Sequence, residues 1–307
     1  MRSPFGLIVW LLLGFNSGYT QPYSRNTTRD ALAYLFQQQS ITKKGVYTHI
    51  NYDTFCAQLA NRIQNPDCLH QGRTHFCWAT IPMAYLYQNE PKAMIDATLS
   101  LYRRGDFALV LQQDTLHWKA DTPIIRAVGN TSFNQKNDRL SGQYLDQMVL
   151  LLMASQYASW LNVDRTYSPG NQISPFWAGA LLKKEARVWR DLGFETKQVG
   201  HDARWIKRHK HELIQRFLQS HDGVVLYINR YAFENEWIGP KSFKWIPPVP
   251  LIPSHFIWLK SIQAMNRTLW ISFWDRNGNQ VIKMPKHRFQ STVFGAVAFK
   301  KKENKLN

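Results

Sequence analysis

From Gly223 onward the sequence changes its period, and that change limits the architectures open to the chain. Residues 91–220 read as a long helical stretch. Pro91 opens one helix of it, at a position where a missing N–H costs little. Tyr144–Leu161 is apolar nearly all round, which predicts a buried helix, and Trp177–Leu192 predicts another. After Gly223 come short apolar runs: Val224–Ile228, the run headed by His255, Leu269–Asp275, Gln280–Met284 and Thr292–Phe299. Their length and their bounding turn residues predict an antiparallel meander. Helices first and strands last predict an α+β fold. Lys119–Gly142, rich in Gly, Asn and Ser, reads as a surface loop. The chain has 307 residues, 44% of them hydrophobic, so it can bury a large core and does not have a disordered protein's composition.

Four residues supply one group for each task of thiol-based acyl transfer. Cys77 offers a nucleophile, His255 a base and Asp275 a carboxylate that fixes the imidazole tautomer. Gln71 offers an amide to hold an oxyanion. A Cys before a Trp is more often a small buried residue, and a lone His is more often structural. Their joint occurrence in this order carries the enzyme reading. Gln71-Gly72 also reads as a simple turn, and His75, two residues before the thiol, reads as a flank of the cleft.

The stretch Gln71-Gly72-Arg73-Thr74-His75-Phe76-Cys77-Trp78-Ala79 resembles the papain-like cysteine peptidases, as does His255 at the head of an apolar run. The resemblance implies a thiol at the start of a central buried helix, with Ala79–Tyr87 as its body. It implies an antiparallel sheet carrying His255 and Asp275, with the helical stretch of about 91–220 as an insertion. Papain-type enzymes carry Asn as the third member. Asp275 at a strand end, before an Asn-Gly turn, looks more like the C39-like and transglutaminase-like branches, with Asn277 as the fallback. Helix dipole and imidazolium together lower a thiol pKa toward roughly 3.5–7.5. The chemistry implied needs no metal or cofactor.

Arg2 followed by apolar Phe5–Phe15 reads as a secretory signal over residues 1–20, too short to span a bilayer comfortably. An uncleaved anchor is the alternative. A secreted or periplasmic location follows. Residues 21–48 then form a lead segment, partly helical over Asp30–Gln39. Residues 49–300 form the catalytic domain and 301–307 a basic tail. In an oxidising compartment, the three cysteines pair most economically as Cys56–Cys68, leaving Cys77 free. Three independent buried thiols are the alternative.

Lys and Arg number 38 against 21 Asp and Glu, a formal net charge of +17 that favours anionic partners. The cluster Lys207–His211 falls on a helix over Ala203–Gln219, where it reads as a solvated face. No zinc-finger, phosphate-loop or RNA-binding pattern occurs, so nucleic acid is not an expected partner. The expected activity is an exported cysteine peptidase acting on protein, peptide or peptidoglycan. A transglutaminase-like acyltransferase or amidase, and a non-catalytic basic surface-binding protein, are the alternatives. An anionic surface and an inhibitor or immunity protein complete the partner classes.

Overall fold

The apolar runs after Gly223 do assemble into one sheet. The computed structural model describes residues 25–39, 44–72, 74–111, 114–129, 140–157, 180–202, 209–230, 233, 253–275 and 278–302. In chain order the helices are α1 (Arg25–Gln39), α2 (Tyr52–Gln64), α3 (Cys77–Asn89) and α4 (Pro91–Arg104). A hairpin follows, β1 (Asp106–Leu111) and β2 (Asp114–Lys119), then α5 (Thr122–Ala127), α6 (Tyr144–Tyr157) and α7 (Leu182–Asp191). The chain continues with β3 (Phe194–Gly200), α8 (Lys210–Ser220), β4 (Gly223–Ile228), β5 (His255–Met265) and β6 (Thr268–Asp275). It ends with β7 (Gly278–Pro285), α9 (Lys286–Thr292) and β8 (Val293–Lys301). The fold is α+β.

The large sheet is antiparallel throughout, in the order β3-β8-β4-β5-β6-β7. Period-two alternation splits its side chains between two cores. Val225, Tyr227, Phe256, Trp258, Trp274, Val297 and Phe299 join the core that holds α3, α6 and α7. Val224, Leu226, Ile257, Leu259, Phe273 and Ala298 meet Ile214 and Phe217 of α8 and Phe289 of α9. Being covered on both faces explains the continuous apolar reading of β4, buried at all its positions. α3 is buried from Cys77 through Tyr87, as a helix apolar on every side must be.

Several expectations need correction. Residues 91–220 are not purely helical, because they contain the β1–β2 hairpin and β3, which joins the main sheet. Gly105, at φ 71°, ends α4 and turns the chain into that hairpin, where only Gly accepts the angle freely. β3 shows little apolar signal because, as an edge strand, it fully buries Phe194 alone. The loop expected over 119–142 contains α5, capped by Asp121 through Ile124 N. Lys210 and His211 do not face solvent: the Lys210 ammonium is buried and donates to the carbonyls of Gln290 and Val293 (2.7 Å to the latter). Lys300 and Lys301 belong to β8 instead of a free tail, and Lys301 pairs with Glu90.

The Cys56–Cys68 disulfide does not form; both cysteines are free, Cys56 buried and Cys68 exposed. Cys56 lies in α2 beside Tyr52, and Cys68 ends a short 3-10 helix past the other end of α2.

α1 buries Ala31 and Leu35 and sends the Tyr34 hydroxyl to Asp96 Oδ1 (2.6 Å). The expected signal over residues 1–20, Asn277 and most of the proline run 247–253 lie outside the described residues. Among the described residues no helix is long and apolar enough to cross a membrane.

Candidate functional site

Three side chains from distant parts of the chain converge where α3 begins and β5 and β6 meet. Cys77 is the first residue of α3, His255 the first of β5 and Asp275 the last of β6. β5 and β6 pair with Trp258 opposite Trp274, which puts Asp275 diagonal to His255 on the same face. His255 Nε2 then lies 3.8 Å from Asp275 Oδ2. That is longer than a hydrogen bond, so Asp275 acts on the ring chiefly as a charge. Asp275 is itself held by Gln280 Nε2, which donates to its Oδ1 at 3.0 Å. All three residues are buried.

Burial acts against charge on both partners of the Cys77–His255 pair, and in both cases it is outweighed. Burial raises the Cys77 thiol. The His255 hydrogen bond and charge, with the backbone N–H groups of Phe256 and Trp78, bring it below its ordinary value. Burial lowers His255, but neighbouring Asp275 and Cys77 raise it to about 9. The shifts run in opposite directions, so a thiolate–imidazolium pair is favoured over two neutral groups. The N-terminal end of the α3 dipole adds in the same sense.

Gln71 is buried, but its hydrogen bonds stay within its own turn. Its Nε2 donates to the Thr74 carbonyl at 3.2 Å, and the Thr74 hydroxyl donates back to the Gln71 carbonyl at 2.6 Å. Gly72, at φ 60°, supplies the left-handed residue of that turn. The turn is braced from two sides. Asp146 of α6 accepts from His70 N at 3.0 Å, and Asp67 accepts from Trp274 Nε1 at 3.1 Å and Asn279 Nδ2 at 2.7 Å. The same β6–β7 hairpin that carries Asp275 is thereby tied to the segment leading into Gln71.

Sequence reading missed Glu185. It looks like one charge in an exposed Lys-Lys-Glu run, yet it is fully buried in the first turn of α7. Its Oε1 accepts from Trp189 Nε1 at 2.8 Å, and its Oε2 is buried without a hydrogen-bond partner. Trp189 four residues on was the available signal. Burial first, and then the Cys77 charge, hold the carboxyl well above the usual carboxylate range. Beside it, Lys184 Nζ sits 4.4 Å over the Trp78 ring, and burial lowers that amine to about 7.

A carboxyl with a raised folded pKa favours the folded state only while protonated, so it costs stability as pH climbs above its unfolded value. Glu185→Gln should therefore melt above the parent at pH 8 and level with it near pH 4. Equal melting temperatures at both pH values would show that the carboxyl is ionised and solvated.

No group of three or more His, Cys, Asp or Glu among the described residues is arranged to hold a metal ion. Comparison with known proteins found no match: no family model, no curated protein and no solved structure is significantly similar to this chain.

Proposed function

We propose that the chain is a thiol-dependent hydrolase of papain-like type, cleaving peptide or amide bonds. The observation that carries this reading is His255 held between the Cys77 thiol at a helix start and the Asp275 carboxylate. In this reading Cys77 Sγ attacks the substrate carbonyl carbon, giving a tetrahedral oxyanion. The second Gln71 amide N–H and backbone N–H groups at the head of α3 stabilise that oxyanion. The C–N bond then breaks as His255 protonates the leaving amine. Water, deprotonated by His255, attacks the thioester and releases the acid and the free thiolate. Asp275 holds the ring orientation and stabilises the imidazolium. The substrate classes in view are exported proteins, peptides and peptidoglycan bridges, and the net charge of +17 favours adsorption to anionic surfaces.

The test is hydrolysis of a fluorogenic peptide library by purified protein, with and without an epoxide thiol inhibitor. Turnover should be abolished by the inhibitor and by Cys77→Ala. Gln71→Ala should lower kcat by about a hundredfold or more, the value of one oxyanion donor. Activity surviving in Cys77→Ala would eliminate the reading. Product carrying an added amine, in place of a free acid, would make the protein an acyltransferase.

A further inference from the structure

A cleft of about 580 Å³ opens at the far end of α3, where Tyr85, Gln88 and Asn89 line it. Asn89 lies about 18 Å along the helix from Cys77 at 1.5 Å per residue. The volume falls in the range of about 300–1,000 Å³ that ligand clefts occupy. β5 lines the cleft from Trp258 through Gln263, and α8 lines it with Gln215 and Gln219.

Two lysines reach this cleft, and they are held differently. The Lys301 ammonium is ion-paired with Glu90. Lys260 is the extra residue of the β5 bulge, where the register with β6 shifts between Leu259 and Ser261. Such a bulge re-aims a side chain. The Lys260 nitrogen rests 2.9 Å from the Trp258 ring centroid, and among the described residues no carboxylate pairs with it. An N–H over a ring face is a contact that a neutral amine also makes. An ammonium taken out of water without a counter-ion is costly, and losing its proton removes that cost. Burial lowers the Lys260 amine to about 7, and Asp67 raises it in part. Near neutral pH this amine is therefore a nucleophile, whereas an exposed lysine is almost wholly protonated. The residue stays partly exposed, so the cleft gives a ligand access to it.

The rest of the lining suits hydroxyl groups. Gln88, Gln215, Gln219 and Gln263 bring four carboxamides, each a donor and an acceptor, as a hydroxyl is. Among the described residues none of these four side chains is bonded to another protein group. The cleft's carboxylate, Asp222, accepts from Lys301 N at 2.7 Å. We infer that this cleft takes a small hydroxylated aldehyde or ketone, whose carbonyl carbon the Lys260 amine attacks to form an imine. The nitrogen bonds to the carbonyl carbon, its two protons pass to the carbonyl oxygen, and that oxygen leaves as water. Nothing is oxidised or reduced, so no co-reactant is needed. The site lies apart from Cys77 and stands whether or not the thiol is catalytic.

The test uses full-length protein carrying Cys77→Ala, so that the thiol cannot add to the probe. The protein is equilibrated with glyceraldehyde, imines are trapped with a pulse of sodium borohydride, and the adducts are located by peptide mass mapping. Lys184, whose amine burial also lowers to about 7, controls for weak basicity alone. Lys260 should be half-labelled at a glyceraldehyde concentration about tenfold or more below that needed at Lys184. Propionaldehyde has the carbonyl without the hydroxyls, and with it that margin should vanish. Gln263→Leu, at an exposed position, should narrow the margin with glyceraldehyde. The fraction trapped at Lys260 should rise through pH 7, against about 10.4 for an ordinary lysine. No adduct at Lys260, labelling no stronger than at Lys184, an equal margin with propionaldehyde, or a rise only near the ordinary lysine value would overturn the inference.

Discussion

Asp146→Ala should destabilise the protein by about 3–5 kcal/mol in urea denaturation, the usual cost of stranding one member of a buried ion pair. The Arg62–Asp146 pair is 2% and 0% exposed. Arg62 Nε donates to Oδ1 at 2.8 Å and its terminal nitrogen to Oδ2 at 2.7 Å, a two-pronged match of guanidinium and carboxylate. Removing the carboxylate leaves a buried guanidinium and also releases His70 N, the residue before Gln71. Local loosening around Gln71 should accompany the global loss, read as faster amide exchange at His70 and Thr74. A loss under about 1 kcal/mol, the range of exposed pairs, would mean that water reaches this pair and that it does not brace the turn.

His255→Ala should lower peptide turnover by roughly 10²–10⁴-fold, the ordinary contribution of a positioned general acid–base. The pH profile of kcat/KM in the parent should fall on its alkaline side near the His255 value of about 9. The sign follows from the chemistry: imidazolium must exist to protonate the leaving amine, and it is lost as pH rises through that value. Linkage gives the same window for stability. A base whose folded pKa is raised stabilises fully below its unfolded value of about 6.5, and that contribution disappears as pH passes about 9. An alkaline limb unchanged in His255→Ala would assign it to another group.

What could be read from sequence divides by physical cause. β4, β8, the first half of β5 and the end of β6 were legible because both faces are buried there, which leaves runs of apolar residues. β3 was not, since an edge strand needs only one anchor, Phe194. The β1–β2 hairpin hid inside a helical reading, although Gly105 marked the break. Lys210 was misread because charge suggests solvent, whereas carbonyls at the C-terminal end of α9 and the start of β8 hold this ammonium. The disulfide failed for a reason spacing cannot express: Cys56 is buried in α2 while Cys68 is exposed past its end.

At the site, Cys77, His255 and Asp275 were legible as a set because their types and order match the roles that acyl transfer would need, and the fold brings them together. Glu185 was not, because a carboxylic acid kept neutral by burial has no composition signature.

The central claim is that His255 holds the Cys77 sulfur as a thiolate near neutral pH. Alkylation of Cys77 by iodoacetamide from pH 5 to 9 measures this most directly. It is done on a Cys68→Ser background, because Cys68 is exposed, while Cys56 is buried and its thiol is raised by that burial. The account predicts rapid labelling at pH 6 in the parent and its loss at that pH in His255→Ala. Labelling that rises only near the ordinary thiol value of about 8.5, identically in both proteins, would contradict it.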